Sequence, residues 1–114
     1  MWKVEFETIE AQDEVEKLKQ DRKLTKADQA IIAAWIRQVA FHGPESIQGN
    51  YKWADHELEN DWEGYRSSSF SKQGRIIYRI EEKLIRVQIA RITNEHNYKK
   101  KEGKKPWKQK WKIH

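Results

Sequence analysis

Three short stretches of alternating sequence, joined by links of two or three residues, constrain this chain more than any other feature. Residues 65–71, 75–81 and 84–92 each read as a strand, with Gln73-Gly74 and Glu82-Lys83 between them. Links that short join antiparallel neighbours, because a parallel pair needs a crossover of roughly a dozen residues. Ile76, Tyr78 and Ile80 share one face of the second stretch. Ile85, Val87 and Ile89 share one face of the third, and Leu84, Arg86, Gln88 and Ala90 the other. This alternation predicts an antiparallel sheet with one side covered and one side polar.

The residues before it supply the cover. Trp2, Val4 and Phe6 alternate with Lys3, Glu5 and Glu7, which reads as a half-buried strand. Ala11, Val15 and Leu18 recur at helical spacing and predict a helix over about residues 10–20. Thr25, with Asp28 three residues on, is an N-cap for a second helix. That helix carries Ala27, Ile31, Ala34 and Trp35 on one stripe, runs to about Phe41, and stops at Gly43-Pro44. Residues 43–63 read as a long connection pinned by Trp53 and Trp62. The expected fold class is α+β: an N-terminal strand, a two-helix hairpin, then a three-stranded antiparallel meander. One domain over 1–98 is expected, followed by a basic, Trp-containing tail over 99–114.

Six Trp, four Tyr and three Phe can build a core although 36% of the residues are charged. The absence of cysteine excludes disulfides, thiolate chemistry and Cys-ligated zinc. The N-terminus reads as a strand rather than a signal peptide, and no apolar run approaches a membrane span, so a cytoplasmic protein is expected. The net charge of +5 conceals a gradient. Residues 1–64 hold 8 Lys/Arg against 14 Asp/Glu, residues 65–98 hold 7 against 3, and residues 99–114 hold 8 against 1. A basic C-terminal half points to a polyanionic partner, although a lysine tail can also be merely solvated.

Phosphate chemistry fits the arginines. Arg66 lies early in the first strand, Arg75 opens the second and Arg91 ends the third. In a meander, the end of the third strand lies near the start of the second. Guanidiniums gathered on one concave face would bind phosphate bidentately. Arg79 and Arg86, in mid-strand, are expected on the surface. His56 and His96 are general acid–base candidates, with Tyr98 close by. Lys72 at the hairpin turn and Ser68 are candidate contacts to a polyanion; the serines can equally bond their neighbours. His42 and His114 read as surface residues. Asp55, His56, Glu57, Glu59 and Asp61 are ligand-type residues, but their spacing matches no helical His pair or calcium loop, so no metal is expected. Ser67-Ser68-Ser69 lacks the flanking glycines of a nucleophile elbow.

Several segments taken together resemble the RelE/ParE superfamily of toxins from bacterial toxin–antitoxin modules, nearest to the YafQ-like mRNA interferases. They are Trp53-Ala54-Asp55-His56-Glu57-Leu58, Trp62-Glu63-Gly64-Tyr65-Arg66-Ser67, Gly74-Arg75-Ile76-Ile77-Tyr78-Arg79-Ile80, and Arg91-Ile92-Thr93 with His96 and Tyr98. The resemblance implies a small α+β toxin and a metal-independent endoribonuclease with no cofactor. Its partners would be a cognate antitoxin, mRNA and the ribosome. It implies catalytic roles for His56, Arg75, Arg91, His96 and Tyr98, and RNA contacts by Arg66, Ser68 and Lys72. Two other readings stay open: a ParE-like, non-nucleolytic toxin acting on DNA gyrase, and an inactive RNA-binding relative.

Overall fold

The computed structural model describes residues 1–95; His96, Tyr98 and the tail at 99–114, with the expected domain boundary before it, lie outside the described residues. Strand β1 (Lys3–Phe6) is followed by helix α1 (Ile9–Gln20), helix α2 (Lys26–His42) and the short helix α3 (Glu45–Gln48). Strands β2 (His56–Glu57), β3 (Arg66–Ser69), β4 (Arg75–Glu81) and β5 (Arg86–Thr93) complete the order. Both long helices start where their side chains can cap them. Thr8 Oγ1 accepts from the Ala11 amide at 3.0 Å. Thr25 and Asp28 form the full reciprocal box, at 2.9 and 3.1 Å. α2 ends at Gly43, whose φ of +84° favours glycine and whose missing Cβ would lie 3.1 Å from the Trp2 indole nitrogen.

The strands form one five-stranded sheet in the order β1-β5-β4-β3-β2. β3, β4 and β5 pair antiparallel in succession, and β2 adds antiparallel to β3. β1 joins the other edge parallel to β5, so the sheet is mixed rather than antiparallel throughout. The reason lies in burial. The register sets Val4 against Val87 and Phe6 against Ile89, which places all four apolar side chains on one face. A slip of one residue would turn the charged set of β1 inward. The stretch expected as one long connection is shorter in irregular backbone than predicted. It contains α3, β2 and two 3-10 turns, Tyr51–Trp53 and Asn60–Trp62.

Two apolar clusters form on opposite faces of the sheet. The larger joins Val15 of α1 and Ile32, Trp35 and Val39 of α2 to Ile76, Tyr78, Val87, Ile89 and Ile92. Trp35 meets Tyr78 edge-on, with ring centroids 5.0 Å apart. The helices pack on strands: α1 lies against β5 and β1, and α2 against β1 and α3. The smaller cluster, Leu58, Trp62, Tyr65, Ile77 and Ala90, fastens the loop 58–65 to the other face. Trp53 and Trp62, each 2% exposed, thus pin the connection as expected.

β5 changes phase partway along. Tyr78 pairs with Ile89, but Ile77 pairs with Arg91, leaving Ala90 as the extra residue of a β-bulge. Strict alternation from Val87 and Ile89 would send residue 91 to the helix side. The bulge sends Ile92 there instead, where it is 1% exposed, and puts Arg91 in the row of Ile77 on the opposite face.

Candidate active site on the face away from the helices

The pairing register arranges this face in rows across the strands. One row runs His56, Ser67, Ile77, Arg91. The next, toward the hairpin tip, runs Ser69, Arg75, Thr93. Adjacent strands are about 4.8 Å apart, so His56 and Arg91 stand roughly 14 Å apart at the backbone. Trp62 packs with Leu58, Tyr65 and Ala90 against Ile77, in the middle of the first row.

Arg91 is held at one point. Its Nη2 lies 3.3 Å from Glu14 Oε2 on α1, while Nε is buried with no hydrogen-bond partner among the described residues. Ser67, fully buried in the same row, likewise has a hydroxyl with no such partner. Buried donors without partners are rare and mark places where another group belongs. His56 is exposed, and its Nδ1 lies 3.2 Å from the Ala54 carbonyl. Arg75 donates from Nη1 to the carbonyls of Ser71, Lys72 and Gly74 at 2.9 to 3.2 Å, so one guanidinium nitrogen closes the hairpin tip. Lys72 is exposed at that tip. Gly74 is required there, because a Cβ would fall 2.3 Å from the Phe70 ring.

The expected arginine set is therefore divided. Arg75 and Arg91 share the face away from the helices in adjacent rows. Arg66 pairs across from Tyr78 and turns to the helix side, where Nε contacts Asp55 Oδ1 at 2.7 Å and Nη1 lies 3.5 Å from Glu57. Ser68 is not available to RNA either. It is fully buried, accepts from Trp35 Nε1 at 3.0 Å and donates to Asp55 Oδ2 at 2.6 Å. Tyr78 also donates to Asp55 Oδ2, at 2.7 Å; burial and that carboxylate push the phenol pKa up. The strand's odd-even phase decides this: Arg66 and Ser68 face the core, and Ser67 and Ser69 face the site. Ser67, Ser69 and Thr93 stood out in the sequence only as members of longer runs, and Glu14 did not stand out at all. The spacing Val87, Ile89, Ile92, two residues and then three, is the one sequence signal of the bulge that brings Arg91 to them.

Arg79 and Arg86 are half-buried rather than solvated, in a ladder of opposite charges. Arg79 binds Glu7, Glu81 and Gln88; Arg86 binds Glu5 and Glu81. The Tyr65 hydroxyl donates to both Glu7 oxygens at 3.1 Å. Burial pushes the Glu7 carboxyl above its ordinary value, against the opposing pull of Arg79 and Tyr65. Burial and the Glu7 charge push the Tyr65 phenol up. Among the described residues no group of three His, Asp or Glu is placed to hold a metal ion, and no helix is long and apolar enough to cross a membrane.

No family model matches the sequence, and no curated protein matches it. Solved structures do match. YafQ from E. coli strain BL21(DE3) aligns with a TM-score of 0.63 at 15% identity, over 81% of this chain and 91% of its own. The YoeB–YefM complex from Staphylococcus aureus gives a TM-score of 0.60 at 16% identity, over 82% of this chain and 95% of that one. A YoeB/ParE toxin from Agrobacterium tumefaciens gives 0.58 at 18%, over 81% and 95%. At such identities the likeness establishes architecture: the chain has the fold of the RelE/ParE superfamily toxins YoeB and YafQ, the superfamily that its sequence motifs resemble.

Proposed function

We propose that this chain is the toxin of a type II toxin–antitoxin module, an endoribonuclease that cleaves mRNA in the cytoplasm, on or off the ribosome. A cognate antitoxin restrains it, as the solved neighbours in complex with YefM and DinJ support. The observation that carries the reading is Arg91. A bulge turns it out of the core into one row with His56 and Ser67, its Nε buried and without a partner among the described residues. That is an arrangement for an anion, and its neighbours supply proton transfer.

In the proposed reaction, His56 takes the 2′-hydroxyl proton and the 2′-oxygen bonds to the adjacent phosphorus. The P–O5′ bond breaks, and the 5′-oxygen leaves with a proton from His96. Arg91 and Arg75 stabilise the charge gathered on the phosphoryl oxygens. Tyr98 stacks on or orients a base, and Lys72 contacts the RNA backbone. Arg66 and Ser68 hold the fold and take no part in binding. The products are a 2′,3′-cyclic phosphate and a 5′-hydroxyl.

The test is cleavage of a defined mRNA, with and without ribosomes, mapped by primer extension. Wild type should cut, and Arg91→Ala should cut on the order of 100-fold or more slowly while keeping its fold. No cleavage by wild type under either condition overturns the reading. Inhibition of DNA gyrase supercoiling with RNA left intact would assign the chain to the ParE-like class instead.

A further inference from the structure

Asp55 and His56 sit side by side at the sheet edge. We propose that Asp55 is a positioning residue that fixes His56 as the Nδ1-protonated tautomer, with Nε2 free to act as the general base. This rests on the function proposed above for the kinetic part alone; the tautomer belongs to the folded protein.

Three observations lead there. First, β2 is two residues long and lies at an edge, too short a strand to hold its own position. The carboxylate of Asp55 supplies what the backbone lacks. Its side chain is fully buried, and it accepts from Arg66, Ser68 and Tyr78, which come from β3 and β4. Ser68 in turn is held by Trp35 of α2. The residue before His56 is thereby tied to two strands and, through them, to the helix layer.

Second, Ala54 is left-handed, at φ 47° and ψ 41°, a conformation that a residue with a Cβ adopts only when its surroundings impose it. Trp53, 2% exposed, anchors it on one side, and Asp55 anchors it on the other. This turn aims the Ala54 carbonyl back at His56, where it lies 3.2 Å from Nδ1.

Third, a carbonyl can only accept. Nδ1 must therefore carry the proton, and in the neutral ring Nε2 keeps its lone pair. The 2′-hydroxyl proton moves to Nε2 as the 2′-oxygen bonds to phosphorus and the 5′-oxygen departs with a proton from His96, the acid proposed above. The imidazolium that results still donates from Nδ1 to Ala54, so the ring need not turn during the reaction.

The direct test is long-range proton–nitrogen NMR of the full chain with 15N-labelled histidine, in a buffer in which the imidazoles are neutral. Wild type should show His56 protonated on Nδ1. Asp55→Asn should shift it toward the Nε2-protonated form while the other histidines stay unchanged. Should Asp55→Asn fail to fold, Tyr78→Phe, which removes one of the two donors to Oδ2, should give a smaller shift of the same sign. A wild-type His56 protonated on Nε2, or a folded Asp55→Asn with the wild-type tautomer, overturns the proposal. In the RNA assay, Asp55→Asn should lower kcat about tenfold or more with KM little changed, and His56→Ala should lower it further. If wild type cuts no RNA but the tautomer behaves as stated, the nuclease reading fails and the positioning role stands. If wild type cuts and Asp55→Asn matches it, the positioning role fails alone.

Discussion

Neighbouring residues of like chemistry have opposite fates here, and the strand's two-residue period decides between them. Ser67 and Ser68 are indistinguishable by composition, yet one faces the candidate site and the other bridges Trp35 to Asp55. Arg79 and Arg91, by contrast, share the face away from the helices and differ in their partners: Arg79 binds Glu7, Glu81 and Gln88, and Arg91 binds Glu14 through Nη2. Residue chemistry showed which groups could act; it did not show which carboxylates would neutralise them, because Glu7 and Glu14 come from distant parts of the chain. Glu7 offers a test at this scale. Burial raises its pKa above the ordinary 4.5 in the folded state, the largest influence on it. As pH rises through 4.5, the unfolded chain releases this proton first, so the folded chain holds more protons and loses stability until it too ionises. The stability of wild type minus that of Glu7→Gln should therefore fall as pH rises through 4.5 and level off once the folded carboxyl has ionised, in urea unfolding at each pH. A difference that rises with pH would mean that Arg79 outweighs burial.

Elements encoded by local signals were legible, and those that depend on distant pairing were not. The Thr25–Asp28 box, the stop at Gly43-Pro44 and the turn at Gly74 are written within a few residues of the feature that they create. The parallel pairing of β1 with β5 joins the two ends of the described chain, and no local code specifies it. β2 is too short for a period to show. The bulge lies between these cases: the unequal spacing of Val87, Ile89 and Ile92 announces it, but only the partner strand shows which residue is extra. Deleting Ala90 would leave Ile89, Arg91 and Ile92 in strict alternation, with Arg91 still on the face away from the helices and Ile92 still in the core. The deletion variant is therefore expected to keep a cooperative urea transition and to lose about 1 kcal/mol, the contribution of the buried Ala90 methyl. A deletion variant without a cooperative transition would show that the sheet needs the bulge itself and not only the phase of its side chains.

Over the whole molecule, charge is sorted by position as much as by number. The net charge of +5 suggests a generally basic surface. The sheet instead neutralises Arg79 and Arg86 against Glu5, Glu7 and Glu81 at the β1 edge. Glu57, Glu59 and Asp61 line a recess of about 280 Å³ beside His56 and set an acidic border at the β2 edge. A polyanion approaching this face is thereby directed to the ground between them, toward Arg75, Arg91 and the exposed Lys72. Residues 99–114 add eight lysines against one glutamate to the same end of the sequence. Each phosphate neutralised on a single strand contributes about 0.7 to the slope of log affinity against log salt. Titrating a fluorescent single-stranded RNA at several KCl concentrations should therefore give a slope that falls by about 0.7 for Arg75→Gln and by more when residues 99–114 are removed. Arg79→Gln should lower stability and leave the slope unchanged, since its positive charge is already balanced within the protein. A slope that falls as far for Arg79→Gln as for Arg75→Gln would mean that RNA competes Arg79 away from Glu7, and that the binding surface extends across the charge ladder.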